Sequence, residues 1–384
     1  MTRLELNKSQ RLLTSSPTKK KIEFMKKLRF GILSAAGIAR KNWPAIFHSG
    51  NSVVTAVASR NLERSRQFIA ECQAKTPFKN PPVPLDSYEE LIAAKNVDAI
   101  YLPLPTGLRK EWVRRAAAAG KHVICEKPCA LSVADLQEMI STCRKNRVQF
   151  MDGVMFMHSP RMPRVREVLD DGKSVGPVRR ISSAFSFYVG EDFFRDNIRV
   201  DGRLEPTGCL GDLGWYCIRF ALWTMNWQLP HTVTGHILSQ STAVSGRVPA
   251  PTELSGELIF DGGVSAGFYC SFLAPQQEWI NVSGQKGWLR LPDFVHPFDS
   301  YEPAFEVNRS EIRVTDAGGV KCPPGADAAV PSHPTAQDTR MFRNFANQVF
   351  SGKLNDEWPM WALKTQQVMD ACFESARTGS VSRL

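Results

Sequence analysis

Lys127 stands in the run Val123-Ile124-Cys125-Glu126-Lys127-Pro128, where an apolar strand closes on a Glu-Lys-Pro turn. In an open parallel sheet, ligands bind in the crevice at the carboxyl ends of the strands, so a lysine just past such an end can face a bound nicotinamide. Lys127 is therefore the first candidate for catalysis, set against the ordinary fate of a lysine, a solvated loop position.

The elements before Lys127 must then build a nucleotide site. Residues 28–33 read as a short apolar strand, and Ser34-Ala35-Ala36-Gly37-Ile38-Ala39 turns into a helical pattern carrying Ile38, Ala39, Ala45, Ile46 and Phe47. The turn aligns with G-x-G-x-x-G/A, whose small residues let the backbone approach a diphosphate at a helix N-terminus. Ser34 and Ala36 replace the two glycines, and each added Cβ narrows that space. The next strand, residues 53–58, ends in Ser59-Arg60, where this fold reads the adenosine ribose. A hydroxyl and a guanidinium suit a 2′-phosphate, so the reading is NADP(H) over NAD. Asn61 also reads as the N-cap of a following helix, and both readings can hold together.

Strands and helices continue to alternate: a helix near 88–94, a strand at 99–102, Pro105-Thr106, a helix at 108–119, a strand at 122–125, and a helix begun by Ser132 and Asp135. Helices of this length between strands imply α/β architecture with a doubly wound parallel sheet. After about residue 150 the pattern shifts to longer, alternating strands at 178–187, 232–238, 253–260, 264–272 and 279–283, with helices at 163–170, 213–223, 337–350 and 361–376. The expected organisation is a basic flexible extension over 1–28, a Rossmann domain over 29–150, and an α/β domain with a mainly antiparallel sheet over 151–384. A long Gly-, Pro- and Ala-rich loop is expected at 316–333, and the last helices are placed to pack back on the first domain.

Glu126-Lys127-Pro128, the small-residue turn and the α/β second half together resemble the glucose-fructose oxidoreductase, inositol dehydrogenase and rhizopine catabolism (Gfo/Idh/MocA) family. Ile32-Leu33-Ser34 and Gly208-Cys209-Leu210-Gly211-Asp212-Leu213-Gly214-Trp215-Tyr216 look closest to its branch of dimeric dihydrodiol dehydrogenases, NADP-linked D-xylose dehydrogenases and plant-type oxidoreductases. The resemblance implies that Lys127 hydrogen-bonds the reacting oxygen, that the Lys127–Pro128 bond is often cis, and that Ser34, Ala35, Ala36, Gly37, Ile38, Ser59, Arg60, Pro105, Thr106, Glu126, Lys127 and Pro128 surround the cofactor. Asp212 and Tyr216, four apart on a helix beginning near 213, share a face and form the second catalytic pair. Tyr216 stands where much of the family has histidine. A phenol is a poor base near neutral pH unless a cation stabilises its anion, a charge Lys127 and the nicotinamide ring can supply. The alternative makes Asp212 a helix N-cap and Tyr216 a core aromatic. Arg109 departs from the family, which often has histidine there, and either faces solvent or touches the cofactor.

Phe156, His158, Arg161, Arg199 and Trp215 are the candidate substrate contacts, with Phe187 and Tyr188 on a segment expected to converge on the same crevice, an aromatic and cationic lining suited to a sugar, a cyclic polyol or an aromatic diol. No second ligand at metal spacing accompanies His158, so no metal is expected. The reaction is hydride transfer between nicotinamide and a secondary alcohol or hemiacetal carbon; a dinucleotide sensor without turnover is the alternative.

With 43% apolar residues over 384 positions the chain can build two cores. It has no apolar run able to cross a membrane and no secretory segment. Nine cysteines read as reduced, mostly buried thiols. Of the net charge of +10, +6 lies within residues 1–28, so no nucleic-acid partner is expected of the body. The expected partners are a small-molecule substrate and, by resemblance, a second copy in a homodimer. Ser382-Arg383-Leu384 resembles a peroxisomal tripeptide, with the cytoplasm as alternative.

Overall fold

The structure is a computed structural model that describes residues 26–242, 247–297, 305–308 and 333–384. The expected basic extension, up to residue 25, and the expected loop over 316–332 lie outside the described residues.

Six apolar stretches form the first sheet: β1 (Leu28–Leu33), β2 (Ser52–Ala58), β3 (Val83–Leu85), β4 (Ala99–Leu102), β5 (His122–Cys125) and β6 (Phe150–Asp152). They are parallel throughout, in the order β3-β2-β1-β4-β5-β6. Strands such as Ala99-Ile100-Tyr101-Leu102 are buried at every position, as parallel strands covered on both faces must be. The connecting helices are α1 (Gly37–His48), α2 (Leu62–Lys75), α3 (Tyr88–Ala93), α4 (Thr106–Ala118) and α5 (Val133–Lys145). Strand order reverses between β1 and β4, and the crevice above that point is where this architecture binds ligands.

The second sheet holds β7 (Val178–Ser186), β8 (Thr232–Gln240), β9 (Pro251–Ile259), β10 (Ser265–Ser271), β11 (Gln277–Gly284), β12 (Trp288–Leu291) and β13 (Glu306–Asn308). Its order is β13-β12-β11-β7-β10-β9-β8, antiparallel except where β7 meets β10. Its helices are α6 (Arg161–Asp170), α7 (Glu191–Asp196), α8 (Trp215–Thr224), α9 (Gln337–Phe350) and α10 (Glu357–Thr378). One face of this sheet buries Ile181, Leu254, Leu258, Phe268 and Ile280. The other carries half-buried Thr234, Ser255, Glu257, Tyr269 and Trp279 beside exposed His236.

Two helices from the end of the chain close the first domain. Phe342 of α9 meets Phe30 and Tyr101 edge-on, at 5.6 Å between ring centroids in both cases. Arg343 donates to the carbonyls of His48 (3.0 Å) and Ser49 (2.8 Å), satisfying acceptors that the end of α1 leaves open. On α10, Asp370 accepts from the Val133 N–H at the start of α5 (2.8 Å). Asp152, at the end of β6, pairs with the fully buried Arg219 of α8 at 2.5 Å. The eight cysteines among the described residues are all free and buried.

Candidate active site

A cleft of about 630 Å³ lies between the sheets, lined by Ala36, Gly37 and Ile38 on one side, Glu126, Lys127 and Pro128 below, and Arg199, Asp212 and Tyr216 opposite. A second concavity, about 550 Å³ on the outer face of the second sheet, holds none of these groups.

Lys127 follows β5 directly, and its peptide to Pro128 is cis. Its ammonium donates to Oδ1 and to the backbone carbonyl of Asp212, both at 2.6 Å, and sits 4.9 Å from the Tyr216 ring centroid. Asp212 does not cap a helix. The helical backbone starts at Gly208, and Asp212 lies in a π-helical turn, Leu210–Gly214, that leads into α8. Gly208 permits the start: its φ of +47° suits glycine, and an added Cβ would collide with the Pro251 carbonyl. The wide turn aims Asp212 and Tyr216 at one lysine.

Arg199 completes the cluster, its Nε donating to Asp212 Oδ2 at 2.9 Å. Burial alone would raise the Asp212 carboxyl; the charges of Arg199 and Lys127, with their hydrogen bonds, outweigh it and hold the group well below the usual carboxylate range. Asp212 raises the Arg199 pKa in return. Tyr216 goes the other way. Burial first, then the charges of Glu126 and Asp212, push its phenol well above the ordinary tyrosine value. At neutral pH the phenol keeps its proton and is an acid rather than a base.

Arg109 does not face solvent but borders the cleft. It is 6% exposed; Nε donates to the Leu104 carbonyl (2.7 Å), and Nη1 to the carbonyls of Glu126 (2.9 Å) and Pro128. One guanidinium thus staples the backbone on both sides of Lys127. Glu126 accepts from the Tyr101 hydroxyl (2.6 Å), which in turn accepts from Asn42 (2.7 Å).

The cofactor side fits a dinucleotide in part. Ala36, the N-cap of α1, makes no side-chain cap bond, and the first turn has no acidic residue, so the N–H groups of Gly37 and Ile38 are open to a diphosphate, while that of Ala39 donates to the Ala36 carbonyl at 3.1 Å. A Cβ at Gly37 would meet nothing within 4 Å. Ser34 takes the first glycine's place at a φ of +126°, and neither it nor Ala35 lines the cleft. Arg60 is exposed, as is Arg64 one turn on, and neither guanidinium is held by a described residue. Ser59 must be corrected: it is 3% exposed, and its hydroxyl donates to the Asn61 carbonyl (2.6 Å), stabilising the turn instead of reaching a phosphate. Asn61 caps α2, accepting from Glu63 and Arg64. Thr106 is likewise engaged: its N–H and hydroxyl both donate to Glu205, at 2.8 and 2.7 Å. Pro105 caps α4 beside it and stays off the cleft wall.

Of the expected substrate contacts, Phe187 and Arg199 reach the cleft, and Tyr188 is exposed off its wall. Phe156 is 1% exposed and packs behind Tyr216, ring centroids 6.2 Å apart. Trp215 is fully buried, its indole N–H directed at Asp152. Arg161 forms a buried pair with Asp293 at 2.6 Å. His158 packs against Trp358 and accepts from Asn344, and burial followed by the Arg219 charge lowers its pKa to about 4. Helical phase and strand ends mark such residues as close in sequence; which side faces a cavity depends on the other domain. Glu205, His296 and Phe193 line the cleft without a local sequence signal. Among the described residues no group of three or more His, Cys, Asp or Glu is placed to hold a metal ion, and no helix is long and apolar enough to cross a membrane.

Residues 28–154 match the family model described as GFO/IDH/MocA oxidoreductase family, NAD-binding Rossmann fold, and residues 162–290 match the GFO/IDH/MocA C-terminal domain. The chain is 28% identical over 360 residues to D-xylose 1-dehydrogenase (NADP(+)) 2 of Haloferax volcanii, covering 93% of this chain and 100% of that protein. It is 31% identical over 266 residues to trans-1,2-dihydrobenzene-1,2-diol dehydrogenase of Mus musculus, covering 69% and 74%. A crystal structure of a 3-ketoreductase from Actinomadura kijaniata, in complex with NADP and TDP-benzene, superposes with a TM-score of 0.74 at 25% identity, covering 91% of this chain and 98% of that one.

Proposed function

Because the chain belongs to the GFO/IDH/MocA oxidoreductase family, we propose that the Lys127, Asp212 and Tyr216 cluster exchanges a proton with the oxygen of a sugar-like substrate. The enzyme is an NADP-dependent oxidoreductase acting on CH–OH groups. The nicotinamide, when bound, supplies or accepts the hydride. The residues do the rest. The α1 N-terminus holds the diphosphate, Arg60 and Arg64 meet the 2′-phosphate, and Glu126 and Pro128 border the ring. Lys127 uses two of its three N–H donors on Asp212 and keeps the third for the substrate oxygen.

The observation that carries the reading is the convergence of Asp212 and Tyr216 on Lys127 at the strand end. A phenol that holds its proton suits reduction of a carbonyl, with Tyr216 as donor and the ammonium steadying the developing negative oxygen. Oxidation of a secondary alcohol or hemiacetal carbon uses the same groups in reverse. The test is to titrate NADPH and NADH by fluorescence, then screen aldoses, cyclic diols and their ketones for turnover by wild type and Lys127→Met. Tight NADPH binding with turnover lost in the variant is expected. Tight binding with no turnover on any probe, and no difference in the variant, sinks the enzyme reading in favour of a sensor.

The half-buried outer face of the second sheet supports a homodimer paired there. Ser382 exchanges two 2.9 Å backbone hydrogen bonds with Val233, leaving Arg383 and Leu384 exposed. A peroxisomal receptor would have to part that bridge to read all three residues; the cytoplasm is the alternative location.

A further inference from the structure

His296 lines the same cleft but takes no part in the proton exchange described above. Its side chain is 46% exposed, while its partner Glu278 on β11 is 2% exposed. The ring Nδ1 lies 2.9 Å from Glu278 Oε2, and the His296 backbone N–H donates to the same oxygen at 3.0 Å. Phe294, two residues before, donates its N–H to the Glu278 carbonyl at 2.9 Å, so the segment is pinned to β11 at several points.

That clamp decides the tautomer. A carboxylate only accepts, so Nδ1 carries the proton, and in the neutral ring Nε2 is a bare acceptor. No described residue bonds to it. An acceptor on a cleft wall calls for a donor, which among substrate groups means a hydroxyl and excludes a carbonyl or an ether. The ring sits 6.0 Å from Phe185, which sits 5.6 Å from Tyr216. One ring therefore stands between His296 and the proton donor, and all three residues line the one cleft.

We propose that His296, oriented by Glu278, accepts a hydrogen bond from a substrate hydroxyl remote from the reacting carbon, and thereby selects polyhydroxylated substrates over sparsely hydroxylated ones. The inference rests on the reading of this cleft as the site of substrate turnover.

The test compares NADP-dependent oxidation of D-xylose and of trans-1,2-cyclohexanediol by wild type, His296→Phe and His296→Gln. His296→Phe keeps a ring and removes the acceptor. It lowers kcat/KM for D-xylose about tenfold, chiefly through KM, and leaves the diol within about twofold. His296→Gln, which returns a carbonyl oxygen, restores most of the loss. Equal loss on both substrates, or none on either, overturns the proposal. A second measurement does not need turnover: the Nε2 resonance of ¹⁵N-histidine protein, assigned by its absence in His296→Phe, is followed in NADPH-saturated enzyme. A shift with D-xylose and none with the diol supports the role; no shift with either overturns it. If wild type turns over neither probe, the catalytic reading suffers and the resonance alone decides for His296.

Discussion

Lys127 and Arg109 share the strand end in different ways: the first is proposed to meet the substrate oxygen, and the second fixes the backbone that presents it. Lys127→Met and Tyr216→Phe should each lower kcat by about 10²- to 10⁴-fold, the usual contribution of a positioned acid, with NADPH affinity by fluorescence unchanged. Arg109→Lys should lower kcat about tenfold or more, since one ammonium cannot reproduce a planar fork spanning three carbonyls; KM and NADPH affinity that stay level would mark a positioning role, and a Tm loss without a kcat change would refute it. Arg60→Ala should weaken NADPH about tenfold or more and leave NADH unaffected, because only the former carries the 2′-phosphate. Glu126, Lys127 and Pro128 were legible because they are consecutive and end an apolar strand. Asp212 and Tyr216 were legible as a pair because helical spacing brings them to one side. Ser59, Phe156, Arg161 and Trp215 were misplaced because each is the right type near the right strand end, while its exposure depends on atoms more distant in sequence.

Among elements, the longer strands were read to within a few residues because buried apolar runs mark them, and β1, β4 and β5 agree at both ends, while the short β3, β6, β12 and β13 were given no bounds. The helix that carries Asp212 was read as starting too late. A π-helical turn has no spacing signature of its own, and Gly208, which opens the helix, looks like any loop glycine. At the contact of α10 with α5, burial raises the Asp370 carboxyl to about 6. Its folded pKa exceeds the unfolded one, so its contribution to stability is complete below about pH 4 and is lost as pH rises through 6. A shift of this size corresponds to at most about 3 kcal/mol, discounted to about 1 kcal/mol for solvent contact. Asp370→Asn can still accept from Val133, and a flipped Gln366 amide would give its unpartnered Oε1 a donor. Thermal unfolding of Asp370→Asn should therefore show a Tm at pH 7 equal to or above wild type, with a flatter dependence between pH 4 and 6; a clear Tm loss at pH 7 would show that the charge at the α5 N-terminus outweighs its burial.

For the whole molecule, the two sheets are joined by charge as well as by packing. Asp152 belongs to the first sheet and Arg219 to α8, which packs on the second, and Thr365 of α10 accepts from the same guanidinium at 2.6 Å. Asp152→Asn leaves a buried arginine without its counter-charge, and should cost about 3–5 kcal/mol, seen in urea as a lower midpoint for one joint transition of both domains. Separate transitions would mean that the pair does not couple them. The change from a parallel to a mainly antiparallel sheet was legible in the strand pattern near residue 150; the return of α9 to the first sheet was legible only as a possibility, because an amphipathic helix does not name the surface it covers. That return sets an order on synthesis. The nucleotide-binding half is complete in sequence long before Phe342 and Phe345 leave the ribosome, so Phe30 and Tyr101 wait uncovered while the rest of the chain is made. The first sheet is covered only once α9 has been made, and a ribosome stalled before α9 would display an apolar face for chaperones to hold.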